Sequence, residues 1–263
     1  MASRFSRILS LLFAAIIVIA GCKGSSTDPN NSNHTNFGDS IPRKGSTYSY
    51  LKSYLDLNNN IIPGTILPGF SALNDSIGIK VFGKENAYLI LDEGDSGYYS
   101  YETNGDVSTY LLNPGYIWNF SYHFTDETLE TIVNLVFHNW ITLPIASKHT
   151  GLVFYNNKQT INIPGDNGVP ADIRATVDYI ADSSIVHNGD TLVSKQCRIS
   201  ITAKLTLGTD VLTLTHVRDL WFVPKIGYIV KVIARTNMPA YPVLVLPLDT
   251  TATLKTMTSY QLK

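Results

Sequence analysis

Hydrophobic and polar residues alternate along much of the chain, which is the pattern of half-buried β-strands. The alternation is clearest in residues 171–182 and 196–205. Between these two segments lies Asn188-Gly189, a strong signal for a two-residue hairpin turn. Elsewhere, short apolar-polar runs are separated by turn residues every ~8–12 positions, as in an antiparallel meander. We therefore predict a mainly β domain with about a dozen strands, arranged as a single antiparallel curved sheet, a half-barrel, or a sandwich.

One segment follows a helical period instead. Apolar residues between Leu129 and Trp140 are spaced by three or four positions, so that they form one face of a helix. Asp126 and Glu127 suit the positive end of the helix dipole at the N-terminus. We predict one helix over residues 126–139, which uses its apolar face to cover the concave side of the sheet.

Residues 1–21 have a different organisation. Arg4 and Arg7 precede an apolar run over residues 8–20, and small residues follow that run. This order of charged, apolar and small-residue regions is that of a secretory signal peptide. The apolar run is shorter than the ~20 residues that a membrane-spanning helix needs, which disfavours the alternative of an uncleaved anchor.

The signal segment ends in Ile19-Ala20-Gly21-Cys22. An aliphatic residue, two small residues and a Cys in this position resemble the lipobox of bacterial lipoproteins. The resemblance implies cleavage between Gly21 and Cys22, a diacylglyceryl thioether on the Cys22 sulfur, and a further acyl chain on its new amine. Two or more acyl chains hold a protein stably in a membrane, since each buried methylene contributes about 0.8 kcal/mol. The alternative is an ordinary cleaved signal in which Cys22 is incidental.

The residues after Cys22 are polar, with few apolar side chains and no periodicity, which is typical of a flexible tether. We therefore predict three segments: a signal peptide over 1–21, a lipidated tether over 22–45 and an antiparallel β domain over 46–263. In well-studied Gram-negative systems an Asp after the lipidated Cys retains a lipoprotein in the inner membrane. Because Lys23 stands at that position here, the lipoprotein resemblance implies a cell-envelope protein of the outer membrane.

Charge and cysteine content narrow the function classes. The chain carries 20 basic and 21 acidic residues, and the loss of residues 1–21 would change its net charge from −1 to −3. A nucleic-acid partner is disfavoured, because it would require a basic surface. With Cys22 assigned to lipid, Cys197 has no cysteine partner for a disulfide. Cys197 stands on the apolar side of an alternating strand, so we predict a buried and unreactive thiol.

The last third of the chain contains an aromatic pair followed by Pro, Gly and Lys, in the pattern Trp221-Phe222-x-Pro224-x-x-Gly227-x-x-x-Lys231. This pattern is similar to one in uncharacterised bacterial cell-envelope lipoproteins, as are the turn at 189–192 and the closing strand at 257–260. The resemblance spans residues 171–263. It implies a curved sheet reminiscent of the open half-barrels of lipoprotein carriers, and it implies no activity. The pattern also has a purely structural explanation as a turn between two strands.

Several short motifs suggest chemistry but lack its further requirements. Residues 94–97, Gly-Asp-Ser-Gly, resemble the nucleophile segment of chymotrypsin-like proteases, yet the only preceding histidine, His34, lies in the predicted tether. Asp56 opens a calcium-like loop in which Ile61 and Leu67 replace the required Gly and Glu. The other histidines lack zinc-site spacing. We predict no cofactor, no metal and no enzymatic activity, with an envelope hydrolase as a remote alternative.

Two functions remain open. In the first, the protein is a binding or structural module of the cell envelope, which presents its tyrosines and the proline-rich segment 238–247 to a partner protein. In the second, it is a carrier that encloses an apolar or lipid-like ligand between the sheet and the helix. The second function predicts a cavity lined by Trp118, Phe137, Trp140 and Tyr228.

Overall fold

The computed structural model describes residues 45–74, 80–85, 87–92, 96–112, 127–163, 166–237 and 252–263. All of these residues belong to one compact unit. Within these ranges the chain forms twelve strands and one helix, α1. In chain order they are β1 (Thr47–Leu55), β2 (Leu67–Asn74), β3 (Tyr88–Asp92), β4 (Gly97–Tyr101), β5 (Val107–Leu111), α1 (Glu127–Phe137), β6 (Ile141–Leu143), β7 (Leu152–Ile163), β8 (Asp166–His187), β9 (Asp190–Leu207), β10 (Asp210–Val223), β11 (Tyr228–Asn237) and β12 (Ala252–Gln261).

The twelve described strands form one antiparallel sheet with the order β6-β5-β4-β3-β2-β1-β12-β11-β10-β9-β8-β7. Strands adjacent in the chain are adjacent in the sheet, except that β6 and β7 are its two edges. The pairing of β1 with β12 joins the first six strands to the last six. The sheet curves into a nearly closed, barrel-like layer, which confirms the predicted class of a single curved antiparallel sheet with one helix.

Irregularities in strand pairing accompany this curvature. The register shifts between Ser49 and Tyr50 on β1 and between Trp221 and Phe222 on β10. Further shifts occur along β7 and on β8. A bulge adds one residue to one strand of a pair, so that the strand bends and its twist increases. These bulges explain why the sheet closes further than the predicted half-barrel.

Helix α1 lies against the edge strand β7. Its observed bounds, Glu127–Phe137, fall within the predicted range of 126–139. Ile132, Val136 and Phe137 are buried in the core of the sheet. After the last turn, the side-chain amide of Asn139 donates to the carbonyls of Leu135 and Val136, both at 3.1 Å. These bonds satisfy acceptors that a helix end leaves open.

The loop from β6 to β7 crosses the gap between the two edges. The backbone N–H groups of Ala146 and Ser147 donate to Oδ1 of Asp106, at 2.9 and 3.0 Å. The N–H of Tyr179 donates to the carbonyl of His149 at 2.9 Å. Asp106 precedes β5 and Tyr179 lies on β8, so the loop is hydrogen-bonded to both halves of the sheet. It therefore closes the gap that strand pairing leaves open.

Five tyrosines belong to the buried hydrophobic core, and we call them the tyrosine cluster: Tyr48, Tyr88, Tyr99, Tyr101 and Tyr228. The rings of Tyr48 and Tyr228 stack with centroids 4.1 Å apart and planes 6° from parallel. Tyr99 packs on Tyr228 at 5.9 Å, and Tyr88 meets Tyr101 edge-on at 5.4 Å. Because these residues come from β1, β3, β4 and β11, the cluster connects both halves of the sheet.

The pattern Trp221-Phe222-x-Pro224-x-x-Gly227-x-x-x-Lys231 runs from the end of β10, through the turn, to the start of β11. Gly227 has a φ of +68°, which favours glycine, and its carbonyl accepts a hydrogen bond from the Tyr101 hydroxyl at 2.8 Å. Phe222 and Ile226 are buried beside it. The pattern is thus a turn with a buried aromatic side chain, which is its structural explanation.

Cys197 lies on β9, with 1 % of its surface exposed. Burial, followed by the charge of Asp106, raises the pKa of its thiol to about 12. The prediction of a buried thiol is confirmed, and the raised pKa disfavours the thiolate, which is the reactive form.

One close contact yields a test of this fold. Gly69 on β2 is paired directly with Tyr50 on β1, and a Cβ at Gly69 would lie 2.1 Å from the Tyr50 ring. We expect Gly69→Ala to lower the free energy of unfolding by about 1–3 kcal/mol, because the added Cβ would overlap the buried Tyr50 ring. Urea unfolding measures the loss. In a Tyr50→Leu background the same substitution should cost much less, and equal losses in both backgrounds would contradict the contact.

Candidate functional site

A cavity of about 80 Å³ lies within the sheet. Strands β3 to β5 form one part of its wall and β9 to β12 another, while Phe137 at the end of α1 closes a third side. Most of the described lining is apolar or aromatic, and it includes Ile90, Tyr99 and Leu111. The cavity is smaller than the ~300–1,000 Å³ of most sites for drug-sized ligands. It is therefore suited to a small molecule or to a fragment of a larger one.

Two cationic side chains, Arg218 and Lys255, also line the cavity. Arg218 lies on β10 in the same alternating register as Leu214 and Leu220, which are both buried. Register alone therefore directs the guanidinium inward. Its carbon atom Cζ is 5.4 Å from the centre of the Phe137 ring. The sequence analysis did not predict Arg218 as a site residue. Its position could have been recognised, because Arg218 is separated by even numbers of residues from Leu214 and Leu220 and therefore shares their face of the strand.

Lys255 lies on β12 directly opposite Lys52 on β1. Directly paired residues project from the same face of a sheet. The Nζ atoms of Lys255 and Lys52 lie 4.0 and 5.3 Å from the centre of the Tyr50 ring. Lys52 is 8 % exposed. The pairing therefore places two ammonium groups on the inner face of the sheet, around one aromatic ring.

His216 precedes Arg218 on the inner face of β10 and is 4 % exposed. Its Nδ1 lies 3.0 Å from the hydroxyl oxygen of Thr236, on the paired strand β11. Burial, and then the positive charge of Arg218, lower the pKa of His216 well below its ordinary value. The imidazole is therefore neutral in the folded protein at neutral pH.

Two of the four residues predicted to line a cavity, Phe137 and Tyr228, do line the one observed, and one described residue, Trp140, does not. Phe137 and Tyr228 line the cavity together. Trp140 does not line it, and packs instead 5.6 Å from Tyr110 and 5.8 Å from the ammonium of Lys84. Trp118 lies outside the described residues, as do Gly21, Cys22 and the segment 238–247.

Ser96 and Gly97 of the protease-like segment are described, and Gly97 begins β4 and lines the cavity. A Cβ at Gly97 would lie 2.4 Å from the carbonyl oxygen of Tyr110, so this glycine is explained by close strand approach. Across the described ranges, no three His, Cys, Asp or Glu side chains are placed to hold a metal ion. The same part of the chain contains no helix long and apolar enough to cross a membrane.

Comparison with known proteins gives little further guidance. No family model matches the sequence, and no curated protein matches it. A candidate lipoprotein from Parabacteroides distasonis is 11 % identical, with 84 % of this chain and 97 % of that chain covered and a TM-score of 0.40. A candidate exported protein with a YmcC-like fold, from Bacteroides fragilis, is 7 % identical with the same coverage and a TM-score of 0.35. Neither similarity is high enough to transfer a function.

The buried imidazole gives a prediction for the dependence of stability on pH. His216 resists protonation when folded and accepts a proton when unfolded, so its contribution to stability is complete above the unfolded pKa of about 6.5 and is lost as pH falls below it. We expect His216→Gln to reduce the slope of unfolding free energy against pH, between about pH 6 and pH 5, by up to about 1.4 kcal/mol per unit.

Denaturant unfolding at a series of pH values measures this slope. His149→Gln is the matched control, because His149 is exposed on the β6–β7 loop. Slopes that agree between the wild-type protein and the His216 variant would contradict the burial of a neutral imidazole.

Proposed function

We propose that this protein is a bacterial lipoprotein, cleaved before Cys22 and held in the cell envelope by acyl chains on that residue. Residues 46–263 then act as a binding or structural module at the membrane surface. The observation that carries the proposal is Ile19-Ala20-Gly21-Cys22 at the end of a basic and apolar leader. Lys23, which replaces the Asp of inner-membrane retention, favours the outer membrane.

The cysteine arrangement supports this proposal. Cys197 is buried and its pKa is raised to about 12, so its sulfur is poorly suited to modification. Cys22 is the other cysteine of the chain. The β domain is built on a hydrophobic core without a disulfide among the described residues. Packing in the core therefore explains Cys197, and lipidation would explain Cys22.

The position of β1 also suits a protein held by its N-terminus. Thr47, the first residue of β1, is paired with Gln261 on one side and with Ala72 on the other. The chain therefore enters the domain through β1, which is a central strand of the sheet and not an edge strand. Force on a membrane tether would then act on a strand that hydrogen bonds hold in two directions.

The two cysteines give a matched test of the anchor. In cells grown with an alkyne analogue of palmitate, the wild-type protein and Cys197→Ser should both carry the label. Cys22→Ser should lose the label and appear in the soluble fraction, because no sulfur remains for the thioether. Detection of the label in gels and by mass spectrometry of the N-terminal peptide measures the outcome. Labelled Cys22→Ser protein would contradict the proposal.

A second candidate function, that of a small-ligand carrier, is favoured by the cavity. Phe137 and Tyr228 form part of its wall, as the carrier hypothesis requires. At about 80 Å³, the cavity is about half the size of an engineered apolar cavity that binds benzene, at ~150 Å³. It accommodates only a few heavy atoms. We therefore propose a short or small ligand in place of a complete lipid.

A cavity-filling substitution tests the carrier function. Thr109 lines the cavity, and Thr109→Leu would occupy part of its volume. We expect protein purified from membranes to release a small molecule on denaturation, and Thr109→Leu to release much less while unfolding at a similar denaturant concentration. Mass spectrometry of the released fraction measures this. Thr213→Leu is the control, because Thr213 is exposed on β10. Absence of any released molecule from the wild-type protein would contradict the carrier function.

A further inference from the structure

We propose that one end of the β domain rests on the lipid bilayer, through exposed apolar side chains at the tip of the β8–β9 hairpin. This is the end at which the chain enters the domain. Its apolar side chains are Val186, Val193 and Leu262, which we call the entry face. The inference rests on the lipid anchor proposed for Cys22, and it adds the orientation of the domain that the anchor holds.

Three contacts place the hairpin tip beside the point at which the chain enters the domain. The ring of His187, at the end of β8, has its centre 5.5 Å from that of Tyr260 on β12. Just beyond β12, the backbone N–H of Lys263 donates to the hydroxyl oxygen of Ser46 at 3.2 Å. A Cβ added to Gly45, where the described residues begin, would lie 3.5 Å from Cγ of Lys263. An anchor that precedes Gly45 is therefore connected to the domain at the hairpin tip.

The tip of the hairpin has a packed face and an exposed face. Ile185 and Leu192 are directly paired, and both pack against the hydrophobic core. Val186 and Val193 are 74 % and 59 % exposed. Successive residues of a strand point to opposite faces, so the packing of Ile185 and Leu192 directs both valines away from the domain.

The exposed valines interrupt a polar surface. Leu262, one residue after β12, is a third exposed apolar side chain at this end. Strand propensity does not require an apolar side chain at position 193, because Thr satisfies it as well. The other exposed residues of β9 are all polar: Asp190, Thr191, Arg198, Lys204 and Thr206. The entry face therefore offers apolar surface where solvation alone favours polar side chains.

The length of the preceding chain suits a contact between the entry face and the membrane. Residues 23–44 separate Cys22 from Gly45. A flexible chain of about 22 residues has a root-mean-square span of roughly 25 Å. Three apolar side chains alone would hold a protein only weakly, since stable attachment takes two signals. Acyl chains on Cys22 would supply the first signal, and the entry face would add the second.

Fluorescence quenching by lipid tests this inference, with the full-length acylated protein in phosphatidylcholine vesicles. Val186→Cys is labelled with a maleimide fluorophore, and its quenching is compared between vesicles with and without bromine on the acyl chains. Cys197 is buried and its pKa is raised to about 12, so it should take up no label. We expect strong quenching, because bromine acts at short range and interfacial apolar side chains reach the boundary of the acyl chains.

Val211→Cys is the matched control. Val211 is 62 % exposed and is paired with Thr206 beside the two-residue turn at 208–209. Val186 is likewise paired with Thr191 beside the turn at 188–189. The two turns lie at opposite ends of β9, up to about 50 Å apart along the strand. The label at position 211 should therefore be quenched much less.

A second substitution tests the apolar character of the contact. In the Val186→Cys background, Val193→Asp should lower the ratio of contacting to free domains about tenfold, because a charge replaces a side chain that the contact buries. Val211→Asp in the same background should leave the quenching unchanged. Far-ultraviolet circular dichroism verifies that each variant is folded.

The outcomes separate this inference from the anchor on which it rests. If the wild-type protein does not float with the vesicles and takes up label at Cys22, both proposals are overturned. Flotation with equal quenching at positions 186 and 211 would overturn the orientation and leave the anchor intact. A label at 186 that is shielded from aqueous iodide but not quenched by bromine would assign the entry face to a protein partner, and would also overturn the inference. Quenching that is confined to position 186 and weakened by Val193→Asp would establish it.

Discussion

The pairing of β1 with β12 is the contact on which the rest of the structure depends. It joins two six-stranded halves into one sheet, and the loop from β6 to β7 then has only a narrow gap to cross. It brings Tyr48 against Tyr228, so that the tyrosine cluster spans both halves. It also sets Lys52 opposite Lys255. A shift of one residue in this register would turn one of the two lysines away from the interior, because successive side chains alternate between the faces of a strand.

Tyrosines make an unusual interior, because a buried hydroxyl usually forms a hydrogen bond, and two members of the tyrosine cluster do so. The hydroxyl of Tyr228 lies 3.0 Å from that of Ser71, and Tyr101 donates to the carbonyl of Gly227. Burial raises the pKa of Tyr48 and of Tyr101, so both stay protonated. These bonds are directional, whereas apolar contacts are not, and they fix β2, β4 and β11 in one mutual arrangement. The rigid packing of the tyrosine cluster helps to define the wall of the adjacent cavity, to which Tyr99 and Tyr228 also belong.

The local sequence pattern predicted the strands and the helix of this fold. The residues of the cavity, in contrast, are brought together by contacts between segments that are far apart in the sequence. Alternation located β8 and β9, and the helical period located α1, because both signals lie within a few consecutive residues. The β1–β12 pairing joins segments some two hundred residues apart and has no local signal, so the lysine pair was invisible until the register was known. Trp140 was predicted to continue the helical face. The helix ends at Phe137, so Trp140 lies outside it and does not share the face of the helix that Phe137 occupies.

The size of the cavity limits what the proposed carrier site can do. The best small ligands gain about 1.5 kcal/mol per heavy atom, and a cavity for roughly three to five such atoms therefore sets an upper bound of several kcal/mol on binding. Any ligand of a cavity this small would therefore be bound weakly.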